Sequence, residues 1–200
     1  MRAKAPLPSS QDSDGELRER VLVAKAREGD ASAFGELVSR YMRRGYNVAL
    51  GLVGSHDDAL DLSQEAFVRA FRARRKLDPD RPFFPWLYQI IRRLCFNFLR
   101  DRSSRRRKLE AAGEWLVAEG GARVARSNPE REAERAELRE MLAAAIGRLP
   151  AAQREALVLK EFEGLRYREI AELLDVPIGT VMSRLYAARK SLADSLGEVA

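Results

Sequence analysis

EIAELLDVPIGTVMSRLYAARKSL, residues 169–192, decides how this chain is read. Ile170, Leu173 and Leu174 fall at helical spacing, and Ala171 is small where a second helix would cross. Asp175-Val176-Pro177 interrupts the periodicity, with Val176 placed to plug the core. Val181 and Leu185 then bury a second helix at i, i+4. Gly179, Thr180, Ser183 and Arg184 fall at that helix's exposed N-terminal end, the end a recognition helix inserts into the major groove. Arg189 and Lys190 lie further along, suited to phosphates. The pattern is that of a DNA-binding helix-turn-helix; an ordinary helical hairpin with a wet basic face is the competing reading.

Composition narrows the context. The chain has 200 residues, 46% hydrophobic and 33% charged, which suits a mostly helical globular protein. No apolar run approaches the roughly 20 residues of a membrane span, and MRAKAPLPSSQDSDG lacks a signal-peptide core, so a cytoplasmic location is expected. One cysteine, Cys95, and one histidine, His56, leave neither an internal disulfide nor a zinc set, and no cofactor is called for. The net charge is +6, yet Arg92 to Lys108 alone holds eight basic residues against the single acid Asp101. Such a focused block attracts polyanions, although a solvated helix end running into a basic linker has the same composition.

Working outward, the periodicity is helical almost throughout, and no run alternates as a strand does. The expected class is all-α: two small helical domains joined by a flexible linker, the C-terminal one a helix-turn-helix. The expected boundaries are a disordered tail over 1–15, an N-terminal domain over 16–102, a linker over 103–129 and a C-terminal domain over 130–200. Asp30 reads as the N-cap of a helix carrying Phe34, Leu37, Val38 and Tyr41. A third helix is predicted from near Ser55 or Asp57 to about Leu77. A fourth is predicted from Pro85, where proline suits a first turn. Trp115 stands out in the linker as a possible anchor to one domain. A helix over Ala151 to Phe162, ended by Gly164, precedes the quoted stretch.

Two N-terminal segments carry chemistry. In DDALDLSQEAFVRAF (57–71), Leu60, Phe67 and Phe71 share an apolar face, while Asp61, Gln64 and Glu65 line another. That carboxylate–amide–carboxylate stripe suits docking onto a basic helix, or is a plain solvated face. FFPWLYQIIRRLCFNFLR (83–100) holds six of the fifteen aromatics. Leu87, Ile90, Ile91, Leu94 and Phe98 form its core stripe; Trp86, Gln89, Arg93, Asn97 and Arg100 occupy another face. Aromatics and amides among arginines suit unstacked bases and phosphates, and a purely core role leaves Phe83 and Phe84 unexplained.

Taken in order, DALDLSQEAF, FFPWLYQIIRR and LPAAQREALVLKEFEGLRYREIAELLDVPIGTVMSRLYAARKSL resemble an extracytoplasmic-function (ECF) sigma factor of bacterial RNA polymerase, from about Glu16 onward apart from much of the linker. The resemblance implies a non-enzymatic initiation factor that binds core polymerase through the β′ clamp coiled coil and the β flap. It implies Asp61, Gln64 and Glu65 for core docking. For the −10 element it implies Arg81, Phe83, Phe84, Trp86, Arg93, Asn97 and Arg100. For the −35 element it implies Thr180, Ser183 and Arg184 towards bases, with Arg189 and Lys190 on phosphate. Promoter DNA and an anti-sigma factor are the further partners implied. Arg93 and Asn97 stand where the family more often has Asn and Asp, Met182 where Lys is common, and Arg166 where Ser or Thr caps the helix. A simple DNA-binding regulator would instead need a ligand pocket or dimer face, and a nucleic-acid enzyme a metal-binding or nucleophilic cluster that this sequence lacks.

Overall fold

The computed structural model describes residues 10–111 and 141–197, and every element among them is helical. Helix α1 (Ser10–Glu28) begins inside the expected tail, so residues 10–15 are helical. Helix α2 (Ala31–Val53) opens as predicted, with the Asp30 carboxylate accepting from the N–H groups of Ser32 and Ala33 at 2.8 and 3.0 Å. Gly54 ends it at φ +75°, donating its N–H to the Leu50 carbonyl at 2.8 Å. Helix α3 (His56–Arg72) is capped by Ser55 and carries acids in its first turn and arginines in its last, complementing its dipole. It stops five residues short of Leu77, and a 3₁₀ turn over Arg74–Lys76 follows. Helix α4 (Phe83–Ala111) starts two residues before Pro85 and runs nine past the expected boundary at 102. Proline is tolerated there because the first turn's N–H groups have no intrahelical partner.

In the C-terminal half, α5 covers residues 141–148. Helix α6 (Ala151–Leu157) passes into a π turn over Val158–Phe162, and Gly164 ends the segment at φ +66°. The sequence predicts this span as one uninterrupted helix; nothing in its periodicity marks the extra residue of a π turn. Helices α7 (Tyr167–Leu174) and α8 (Ile178–Gly197) complete the fold. Trp115 and the rest of the expected linker beyond Ala111 lie outside the described residues, as does the start of the C-terminal domain up to 140.

Helix α2 is the hub. Val48, Ala49 and Leu52 meet a core completed by Ala59, Ala66 and Ala70 of α3 and Leu87, Tyr88 and Ile91 of α4. The alanines let α3 lie close. The same contiguous core continues into Val158, Leu159, Ile170, Val181 and Leu185, so the two halves pack on each other. A smaller cluster of Ile146, Leu149, Leu157 and Ala188 belongs to the C-terminal half alone.

Candidate functional site

The helix-turn-helix is built as its sequence suggests. Arg166 precedes α7, and its backbone N–H donates to the Glu169 carboxylate at 2.6 Å. A guanidinium has no acceptor, so this is one half of a capping box. Asp175 turns the chain at φ +53°, the only left-handed residue other than glycine among those described, and Val176 donates its N–H to the Ala171 carbonyl at 3.0 Å. Val181, Leu185 and Ala188 bury one side of α8. On the outer side Ser183 is exposed and donates its hydroxyl to the Thr180 carbonyl at 3.0 Å, while Thr180 and Arg184 are half-buried. Lys190 is exposed; Arg189 is tied to Glu161 at 2.8 Å. Sequence reasoning noted Met182 only as a departure from Lys and missed Tyr186; both stand free on this face, Tyr186 at 72% exposure. Ile178, Met182 and Tyr186 form a second apolar stripe at i, i+4, i+8, and that spacing was the available signal.

The α4 face differs from its sequence reading at its aromatics. Phe83 and Phe84 are 1% and 3% exposed. Phe83 lies 5.4 Å from the Tyr41 ring and edge-on to Phe34 at 6.3 Å; Phe84 stacks on Tyr41 at 5.9 Å beneath the Arg44 guanidinium, 3.5 Å from the ring centroid. Neither ring is available to a base in this conformation, so both residues move from the nucleic-acid list to the core. The physical reason is that α4 starts at Phe83, earlier than Pro85, which turns both rings under α2. The Phe83 N–H donates to Glu19 of α1 at 2.9 Å, fixing this helix end. Outside it, Arg81 is exposed beside Asp78. Trp86 is half-buried against Phe83, Arg93 and Arg100 are exposed, and Asn97 is half-buried. Two polar side chains of this region point instead at the other half: Gln89 donates to the Leu173 carbonyl at 2.9 Å, and Arg92 pairs with Glu155.

On α3 the buried stripe is Ala59, Ser63, Ala66, Phe67 and Ala70, with Phe71 partly buried and edge-on to Phe34 at 5.1 Å. Leu60, expected on the apolar face, is exposed at its edge. Asp61 and Gln64 face solvent, and Glu65 holds Arg69 at 2.7 Å. Leu60 and Val68 flank them, so this surface mixes acid, amide and exposed apolar groups.

Two buried groups sit between these faces. Cys95 is wholly buried, and burial pushes its thiol up to about 12, which keeps it protonated and inert. Burial, and then the neighbouring Glu155 carboxylate, hold the Tyr88 phenol well above its usual range, so it stays a hydrogen-bond donor. Among the described residues no His, Cys, Asp or Glu group is disposed to hold a metal ion, and no helix is long and apolar enough to cross a membrane.

Comparison with known proteins agrees with this arrangement. Residues 37–105 match the family model "Sigma-70 region 2", and residues 139–192 match "Sigma-70, region 4". The ECF RNA polymerase sigma-E factor of Escherichia coli (strain K12) is 37% identical over 179 residues, covering 88% of this chain and 93% of that protein. The RNA polymerase sigma-H factor of Pseudomonas aeruginosa is 34% identical over 189 residues, covering 94% and 95%. Among solved structures, CnrH in complex with the cytosolic domain of CnrY matches with a TM-score of 0.67 at 27% identity, covering 92% of this chain and 99% of that one. The sigma factor RpoE in complex with the anti-sigma factor NepR, from Bartonella quintana, matches with a TM-score of 0.61 at 25% identity, covering 82% and 96%. The chain therefore belongs to the ECF sigma factors of the sigma-70 family, the transcription initiation factors that give RNA polymerase its promoter specificity.

Proposed function

We propose that this protein acts in the cytoplasm as a non-catalytic initiation factor through three surfaces. Asp61, Gln64 and Glu65, flanked by Leu60 and Val68, dock on the β′ clamp coiled coil of core polymerase, and the C-terminal half engages the β flap. Arg81, Trp86, Arg93, Asn97 and Arg100 hold the −10 element. Thr180, Ser183 and Arg184 read the −35 duplex, with Lys190 and, once released from Glu161, Arg189 on phosphate. Met182 and Tyr186 add apolar surface suited to thymine methyl groups. An anti-sigma factor is the remaining partner, proposed because the RpoE relative is held by one.

The observation that supports this reading is the presence in one chain of two basic helical faces on separate halves, Arg93 and Arg100 exposed on α4 and Ser183 and Lys190 exposed on α8. Each is weak alone; polymerase fixes their spacing and converts the second contact into an intramolecular one. The test is co-elution with core RNA polymerase on size exclusion, comparing wild type with Asp61→Lys/Gln64→Ala. Wild type should co-elute, and the double variant should bind at least about tenfold more weakly, since charge reversal at a docking rim costs over 1.4 kcal/mol. Absence of wild-type binding, where a control sigma factor binds, overturns the proposal.

A further inference from the structure

Phe83 opens α4, and its N–H has no partner within the helix. The residue before it, Pro82, has no side-chain acceptor to cap that end, and Pro85 brings no N–H of its own. The cap comes from another helix: Glu19 of α1 accepts the Phe83 N–H on Oε1 at 2.9 Å. Its second oxygen accepts from the Tyr41 hydroxyl and faces the Arg40 guanidinium at 3.7 Å. A carboxylate at a helix N-terminus is favoured by the helix dipole, and its charge strengthens the hydrogen bond. One residue along α1, Arg20 pairs with Asp80 of the loop that leads into α4.

That loop, residues 78–82, carries Arg81. It is folded on itself by Asp78, whose carboxylate accepts the Asp80 N–H at 3.0 Å and whose carbonyl accepts the Arg81 N–H at 3.1 Å. Asp80, Arg81 and Pro82 are exposed, while Leu77 and Phe83 on either side are buried. Polar ties therefore order the loop tip, and α1 supplies those at its far end. Helix α1 lies wholly before residues 37–105, the stretch that matches region 2.

We propose that Glu19, with Arg20 beside it, is a positioning residue for the −10 contact: it fixes the start of α4 and the pose of Arg81, and touches no DNA itself. This role rests on the reading of Arg81 and α4 as the −10 surface. Fixing a loop before it binds removes an ordering cost from the binding step, so Arg81 contributes more from a braced loop than from a loose one. A glutamine at position 19 keeps both main contacts, since its carbonyl accepts the Phe83 N–H and its amide donates to the Tyr41 oxygen. Alanine keeps neither.

Two measurements on the full chain test this. The first is amide hydrogen exchange of the free protein at Asp80, Arg81, Phe83 and Phe84, in wild type, Glu19→Ala and Glu19→Gln. Exchange should quicken at least about tenfold in Glu19→Ala and stay within about threefold of wild type in Glu19→Gln. The second is the affinity of the holoenzyme, formed with core RNA polymerase, for a single strand of about 12 nucleotides that wild-type holoenzyme has selected from a random pool. Glu19→Ala should bind at least about fivefold more weakly and Glu19→Gln within about twofold of wild type, and Glu19→Ala should add nothing in an Arg81→Ala background. A residue that merely stabilises the fold would lower the urea midpoint and leave strand affinity unchanged. Unaltered exchange in Glu19→Ala, equal strand affinity, or additive losses with Arg81→Ala overturns the proposal. Should Glu19→Ala lose helical circular dichroism, Arg20→Ala, at an exposed pair, decides: exchange at Asp80 and Arg81 should quicken at least about threefold, and no change overturns the brace. A wild-type holoenzyme that selects no strand overturns the −10 reading and this role with it, whereas selection by wild type with unaltered exchange in Glu19→Ala overturns this role alone.

Discussion

Replacing Phe83 by alanine distinguishes a core role from a base-contacting one. The ring is 1% exposed and packed among Phe34, Tyr41 and Trp86, with centroids 5.4 to 6.3 Å away. Removing a phenylalanine from such a site loses its transfer free energy and leaves a cavity, together about 3–5 kcal/mol. Against a typical stability of about 5–15 kcal/mol this is severe, and for about 150–250 residues it lowers Tm by about 6–20 °C. Phe83→Leu, which keeps most of the volume, should cost about 1–1.5 kcal/mol. Urea unfolding followed by circular dichroism measures both, and an unchanged m-value shows that the midpoint reports stability. A base-stacking aromatic behaves differently: its loss weakens single-strand binding by about 1–3 kcal/mol and leaves the urea midpoint where it was. That second pattern in Phe83→Ala, with full stability retained, would refute the assignment of this ring to the core.

Two further predictions concern local features. Asp175 holds φ +53° at the helix-turn-helix break, a conformation that costs an L side chain about 1 kcal/mol, so Asp175→Gly should be neutral or slightly stabilising and Asp175→Val destabilising by about 1–2 kcal/mol, read from urea midpoints. Equal midpoints for the two would show that the backbone relaxes there. Glu163 is buried beside Arg44, and burial raises its carboxyl above the usual 4.5 despite the guanidinium. A raised carboxyl favours the folded chain most when protonated; its contribution is full below about 4.5 and is lost as pH rises through the folded value. The stability of wild type relative to Glu163→Gln should therefore fall between pH 4 and pH 7, and a pH-independent gap would exclude the shift.

Much of this was legible in the sequence because local periodicity decides it. Asp30 and Gly164 mark helix ends through chemistry that acts within a few residues, and the Ile170–Leu185 pattern specifies the helix-turn-helix. The candidate stripe on α3 was also readable, since Asp61, Gln64 and Glu65 remain outside whatever α3 packs against. The parts that were not legible depend on long-range contacts. Phe83 and Phe84 look like surface aromatics until α2 is known to cover them. Leu60 belongs to the apolar set by spacing, but the alanines at 59, 66 and 70 bring α3 in on a different side. Glu155 reads as one more solvated acid in AAQREAL; only the approach of α4, over sixty residues earlier in the chain, gives it partners.

Residues 155–159 are buried without interruption, and their side chains serve both halves: Leu157 in the C-terminal cluster, Val158 against Gly51. Any separation of the halves would bring Val158 and the small-residue face of α2 into water together. An apolar surface of this kind invites proteases and chaperones, and the exposure ends only when a partner covers it or the chain closes again.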